Sequence, residues 1–220
     1  MRKFFVALML LTIMLTSSVE AVVYEESTIE GSNLTAVKKI AIAMPNFYKV
    51  DAAEPEIHDL IKLLYDSGKS SSTLEIVSYD DVAAAIRRDT GIDILSLDVP
   101  EAMKVYKRNI MRYADAYVIE TIANSDKFPQ LFFYLYNAAD SKLMYTYKIR
   151  SRLYQRNKDS YARMADAFFI RFDEVTVQNL SKEEQKILRK KQEEIREKKR
   201  KAEKLNVKTS KNKVDMVKKK

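Results

Sequence analysis

Residues 116–123 are apolar on both faces at Tyr117-Val118-Ile119. A strand of that kind needs cover on both sides, as in a sheet with helices packed above and below. The preceding chain supplies the parts for such a layered fold. Residues 38–44 run apolar through Ile40-Ala41-Ile42-Ala43 until Pro45, which reads as a buried strand stopped by the proline. Pro55 can open a helix in which Ile57, Leu60, Ile61 and Leu64 fall at i, i+3, i+4 and i+7, with Gly68 as its expected end. Residues 74–79 read as a second strand. Asp80 or Asp81 is placed to cap a short helix through Val82-Ala83-Ala84-Ala85-Ile86, closed by Gly91. Asp98 and Pro100 announce another helix, with Met103, Tyr106, Ile110 and Met111 expected on its inner face.

Beyond the third strand the pattern changes. Residues 130–136 and 143–153 are long, aromatic and alternating, and Asn137-Ala138-Ala139-Asp140-Ser141 is short enough to join them as a hairpin. Ser160 is placed to cap a last domain helix carrying Tyr161, Met164, Ala165, Phe168, Phe172 and Val175 at helical spacing. The order β-α-β-α-α-β-β-β-α predicts an α/β (α+β) fold: a mixed sheet of about five strands with packed helices. Residues 38–44 and 116–123 are its expected inner strands, and Phe168 and Phe172 are expected to face the sheet. A charged C-terminal helix and a disordered basic tail follow.

The amino terminus adds a destination. Arg2 and Lys3 precede an apolar run over residues 4–11, which resumes at Ile13-Met14-Leu15, and Val19-Glu20-Ala21 offers small side chains where a signal peptidase reads. This is the pattern of a secretory signal peptide over residues 1–21. The run falls short of the roughly 20 apolar residues that spanning a bilayer needs. The expected organisation is a signal peptide at 1–21, a polar leader at 22–36 and an α/β domain at 37–180. A charged helix at 181–205, opened by the Ser181-Lys182-Glu183-Glu184 capping box, and a disordered basic tail at 206–220 complete it. The chain has no cysteine, which excludes disulfides, thiolate metal sites, cysteine nucleophiles and a lipid anchor on an amino-terminal cysteine. The expected location is periplasmic or extracellular, without a lipid anchor.

Charge is segregated. The whole chain carries a formal +8, but residues 181–220 hold 17 Lys/Arg against 7 Asp/Glu, while residues 22–180 hold 20 against 23. The body is therefore mildly acidic and the basicity lies in the tail. The expected anionic-surface residues are Lys190, Lys191, Lys198, Lys199, Arg200, Lys201, Lys218, Lys219 and Lys220, with lipid headgroups or wall polymers as targets.

Catalytic equipment is sparse. His58 is the single histidine; it falls on a helix surface beside Asp59, and one imidazole cannot build a multi-histidine zinc site. The three glycines at 31, 68 and 91 are far apart, so no phosphate-cradling loop forms. Asp89, Asp93 and Asp98 lack the alternate ligands, central glycine and terminal glutamate of a calcium loop, and caps and turns account for them. Tyrosine is frequent at 13 residues. Tyr145, Tyr147 and Ile149 share one strand face, and Thr146, Lys148 and Arg150 the other. A tyrosine face covered by a helix is the expectation, with a protein contact surface as the alternative.

The segments Lys38-Lys39-Ile40-Ala41-Ile42-Ala43-Met44-Pro45-Asn46-Phe47, Leu74-Glu75-Ile76-Val77-Ser78-Tyr79-Asp80-Asp81-Val82, Tyr113-Ala114-Asp115-Ala116-Tyr117-Val118-Ile119 and Asn137-Ala138-Ala139-Asp140-Ser141-Lys142-Leu143, taken in order, resemble the small periplasmic α/β domain of TolB-, CsgG- and LpoB-like envelope proteins. Tyr113 and Ser141 stand where that pattern often has glycine, and inserted membrane-spanning hairpins are missing, so a pore is not implied. The resemblance implies a fold and a habit of docking other envelope proteins, with no catalytic residue to carry over. The expected function is that of a non-enzymatic exported envelope protein acting as a protein–protein interaction module. It needs no cofactor or metal and has no nucleic-acid partner. The alternative is an anionic-surface binder working through the basic tail.

Overall fold

The computed structural model describes residues 22–48, 55–123, 128–151, 156–178 and 182–217. The proposed signal peptide, Ser181 of the capping box and Lys218, Lys219 and Lys220 lie outside the described residues.

Seven strands form one mixed sheet: β1 (Val22–Thr28), β2 (Lys39–Ile42), β3 (Asn46–Phe47), β4 (Glu75–Val77), β5 (Ala116–Ile122), β6 (Gln130–Asn137) and β7 (Leu143–Ser151). Their order is β1-β7-β6-β5-β2-β4, with β3 on β5. β2 runs parallel to β4 and β5, whereas β5, β6, β7 and β1 are successively antiparallel. The expected inner strands are in place: β2 lies between β4 and β5, and Ile40, Ala41, Ile42, Tyr117 and Val118 are fully buried. The hairpin turns where expected, and Ser141 takes a left-handed conformation at φ 55°.

Five helices complete the fold: α1 (Ile57–Ser71), α2 (Tyr79–Thr90), α3 (Val99–Asn109), α4 (Lys158–Gln178) and α5 (Lys182–Val217). α4 covers one face. Phe168 stacks on Phe133 with centroids 4.6 Å apart, and Phe172 lies 5.4 Å from Tyr145. The Tyr145-Tyr147-Ile149 face is therefore buried beneath a helix. α2 and α3 cover the opposite face at the parallel strands, where Tyr79 stacks on Tyr106 and Tyr106 meets Tyr117 edge-on. The Tyr106 hydroxyl donates to the Ile42 carbonyl at 2.8 Å.

Several local expectations need correction. The polar leader is strand β1, paired along its length with β7. Its glutamates hid that pattern; Glu26 points toward α4 and forms an ion pair with Arg171 at 2.6 Å. With the two-residue β3, this raises the sheet from about five strands to seven. Gly68 does not end α1, which continues to Ser71. A Cβ at Gly68 would stand 2.8 Å from Phe169 Cζ, so this glycine permits close approach of α1 to α4. Ser78 caps α2 in place of Asp80 or Asp81: its hydroxyl accepts from the Asp81 N–H at 2.9 Å and donates to the Asp81 carboxylate. Asn157 stands in for Ser160 at the start of α4, accepting from the Ser160 N–H at 2.9 Å. Met111 is 59 % exposed; the helix tightens into a 3-10 turn from Ile110, which rotates Met111 off the inner face. α5 continues to Val217, beyond residue 205, through a stretch without proline or glycine.

Phe168 touches the rings of Phe133, Tyr145, Tyr147, Phe169 and Phe172. Phe168→Ala is expected to lower stability by about 3–5 kcal/mol, read from denaturant unfolding. A loss below about 1 kcal/mol would show that the ring contributes little to the core.

Candidate functional site

The groups that could suggest catalysis are dispersed and engaged in structure. His58 is exposed on the first turn of α1, and its neighbour Asp59 forms an ion pair with Lys158 at 2.7 Å. Asp89 accepts from the Tyr113 hydroxyl and from Arg88 Nε, each at 2.8 Å; these donors hold its carboxyl below the usual carboxylate range. Asp93 accepts from the Leu95 N–H and pairs with Arg87. Asp98 caps α3 through the Glu101 N–H at 2.9 Å. Among the described residues no three His, Cys, Asp or Glu side chains are grouped to hold a metal ion.

Glu120 is the exception. It lies on β5 opposite Phe133, in the cross-strand row that continues through Tyr147 to Glu26. It is fully buried, and among the described residues neither carboxyl oxygen has a hydrogen-bond partner. Burial alone pushes its pKa up to about 8, so at neutral pH it is a protonated acid in an apolar layer. β2 pairs with β5 as far as Ile42–Val118, Ala43 N–H still donates to the Val118 carbonyl at 3.0 Å, and β3 resumes at Asn46–Thr121; residues 44–45 leave the ladder beside Glu120. β4 and β5 flank β2 on opposite sides, which makes the end of β2 a topological switch point, where open α/β sheets bind ligands. Here β3 occupies that position. The signal in the sequence was a single acid inside an apolar strand.

Among the described residues, two surfaces expose apolar side chains, one on the connection between α2 and α3 and one on the sheet. The connection between α2 and α3 presents Ile92, Leu95, Leu97 and Val99 to solvent, Leu95 at 61 % exposure. This connection is pinned from beneath. Ile94 is buried, Asp93 caps the turn, and Ser96 Oγ donates to the Asp93 carbonyl at 2.8 Å. The second surface is the outer face of β6 and β7, where Phe132 and Tyr134 are half-buried with parallel rings 6.1 Å apart. Lys148 lies over Phe132 and pairs with Glu25 at 3.3 Å.

The basic residues of α5 do not act alike. Lys191, itself exposed, is tied back to the domain: its Nζ donates to the Thr73 carbonyl at 2.7 Å. Asp173 secures the same loop, accepting from Ser72 Oγ and the Thr73 N–H at 2.9 and 2.6 Å. Lys190, Lys198, Arg200 and Lys201 are exposed, Lys201 paired with Glu197 at 3.0 Å. The Lys199 side chain and Lys218, Lys219 and Lys220 lie outside the described residues.

No protein-family model and no curated protein matches this chain. Solved structures similar to it include the PelC dodecamer from Paraburkholderia phytofirmans, at 6 % identity and TM-score 0.41 over 69 % of this chain and 96 % of that one. The LpoB C-terminal domain from Escherichia coli aligns at 14 % identity and TM-score 0.42 over 56 % and 86 %. The lipoprotein GNA1162 from Neisseria meningitidis aligns at 10 % identity and TM-score 0.37 over 55 % and 84 %. Of the families that the sequence resembles, the LpoB type is thus among the similar structures.

Glu120 sets a pH dependence with a definite sign. Its carboxyl titrates near 4.5 when unfolded and near about 8 when folded, so between these values the folded chain keeps a proton that the unfolded chain has lost. Stability therefore falls as pH rises through that window, by at most about 1.4 kcal/mol per unit, and levels off above it. Glu120→Gln is expected to remove this slope in melting temperature measured against pH. Identical slopes in both proteins would show that the carboxyl is solvated or paired.

Proposed function

We propose that the chain is a non-enzymatic exported envelope protein that docks another envelope protein through the connection between α2 and α3. The carrying observation is the exposure of Ile92, Leu95, Leu97 and Val99 on a turn held rigid by buried Ile94 and the Asp93 cap. Apolar side chains displayed together on a pinned turn lose little freedom when covered, and contiguous exposed apolar surface marks interaction sites. Around them Asp93 pairs with Arg87 and Glu101 with Lys104, which gives the apolar centre and balanced charged rim of a protein interface.

A second reading rests on α5. Lys190, Lys198 and Arg200 project into solvent from a helix rich in basic residues, which suits an anionic surface of lipid headgroups, lipopolysaccharide or wall polymer.

The two readings separate experimentally. Burying a leucine contributes about 1.5–3 kcal/mol, so joint Leu95→Asp and Leu97→Asp substitution is expected to weaken partner capture from cross-linked envelopes by more than about 100-fold, with the melting temperature unchanged. Undiminished capture would remove this surface from the function. For the tail, co-sedimentation with anionic vesicles is expected to fall steeply with salt, as the Debye length shrinks from about 10 Å at 0.1 M to about 3 Å at 1 M. Binding indifferent to salt would exclude the second reading.

A further inference from the structure

A groove of about 690 Å³ opens at the end of the sheet opposite β3. One wall is the β1–β2 connection from Ile29 to Val37, the other is the end of the β6–β7 hairpin, and Met111 and Ala114 lie between them. Ile29 N–H donates to the Met144 carbonyl, and Ala138 N–H to the Asp115 carbonyl, each at 2.9 Å. These bonds tie both walls to the sheet. The lining is largely aliphatic, with Val37, Ala114, Ala138 and Met144 buried in its floor.

Its charges are of one dominant sign. Glu30, Asp115 and Asp140 line the groove against a single base, Lys142, and that base is paired with Asp140 at 3.0 Å. One Asp115 oxygen accepts the Lys38 and Lys39 N–H groups at 2.9 and 3.0 Å, yet the residue stays exposed. An aliphatic channel with a net negative rim suits lysine, whose methylene stem packs on apolar surface while its ammonium reaches a carboxylate.

The chain carries a segment of that chemistry. Residues 204–220 contain Lys204, Lys208, Lys211, Lys213, Lys218, Lys219 and Lys220 against one acid, Asp215. The segment cannot reach the groove of its own domain. α5 is rooted where Leu188 and Lys191 meet Thr35, Val37 and Thr73, and Val37 lines the groove as well; root and groove are neighbours. α5 runs to Val217, 26 residues beyond Lys191, so its far end stands about 39 Å from that root at 1.5 Å per residue.

We propose that the groove between the β1–β2 connection and the β6–β7 hairpin receives the lysine-rich carboxy-terminal end of α5 from a second copy of this chain. The contact is heterologous, tail to groove. It uses a surface separate from the turn between α2 and α3, so it stands or falls independently of the docking function.

Charge swapping tests it in the full exported chain. Sedimentation velocity is expected to show self-association at low ionic strength that dissociates in 1 M salt. Joint Glu30→Lys and Asp140→Lys is expected to weaken it at least tenfold, and so is joint Lys208→Glu, Lys211→Glu and Lys213→Glu. Both sets combined in one chain restore attraction between groove and tail and are expected to recover association to within about tenfold of the original. Recovery also shows that the altered groove still folds. A monomer at low ionic strength, association indifferent to groove reversal, or failure of the combined chain to recover would each overturn the proposal. Binding of the tail to anionic vesicles with no self-association would assign the tail to a membrane or wall surface.

Discussion

The stacking of Phe168 on Phe133, 4.6 Å between centroids, is the contact on which most of the remaining structure depends. It fixes α4 on the antiparallel half of the sheet, and the next turn of α4 then meets a different element with nearly every residue. Phe169 faces α1 and fills the space left by Gly68. Arg171 reaches Glu26 on β1. Phe172 packs on Tyr145, and Asp173 holds Ser72 and Thr73. Five neighbouring positions thus join α1, β1, the hairpin strands and the loop before β4. A helix turns about 100° per residue, so such a run serves several directions at once, and every position from Phe168 to Asp173 is buried or half-buried.

That burial explains which parts of the fold were legible in the sequence. β2 and β5 declared themselves because parallel strands buried on both faces read as continuous apolar runs. The hairpin strands did so because one face is solvated and the other lies under α4. β1 shows neither pattern. Its inward-pointing Glu26 makes sense only beside an arginine far along the chain, and no local window contains both. Gly68 misled for a related reason: at the end of an apolar periodic stretch, a glycine that permits close packing looks the same as one that stops a helix. Ser78 was overlooked because the strand before it ends at Val77, two residues earlier than the alternation suggested.

The candidate surfaces were harder to read, because apolar residues carry no mark of whether they are covered. Ile92, Leu95, Leu97 and Val99 have the composition of a core segment, and only Ile94 among their neighbours is buried. Glu120 is the converse case, a charged residue type that is fully buried with no hydrogen-bond partner among the described residues. Its neutral form reconciles the two, and the fold is correspondingly more stable where the carboxyl keeps its proton.

The segregation of charge between body and tail acquires structural meaning through the root of α5. If the helix left the domain on a flexible joint, its lysines would form a diffuse cloud able to neutralise any anion nearby. Lys191 instead donates to the Thr73 carbonyl, on a loop that Asp173 holds from the other side, and Leu188 lines the adjoining pocket with Val37. The helix therefore leaves the domain in a fixed direction. A tail of fixed direction that meets a groove on another copy relates successive copies by one constant rotation and translation. Repeated heterologous contacts of that kind close into a ring when the rotation divides a full turn and otherwise grow as a helical filament. Under the tail-to-groove proposal the direction of α5 would set the geometry of such an assembly, whereas the lysine–carboxylate pairs, exposed and individually weak, would set how readily the copies separate as ionic strength rises.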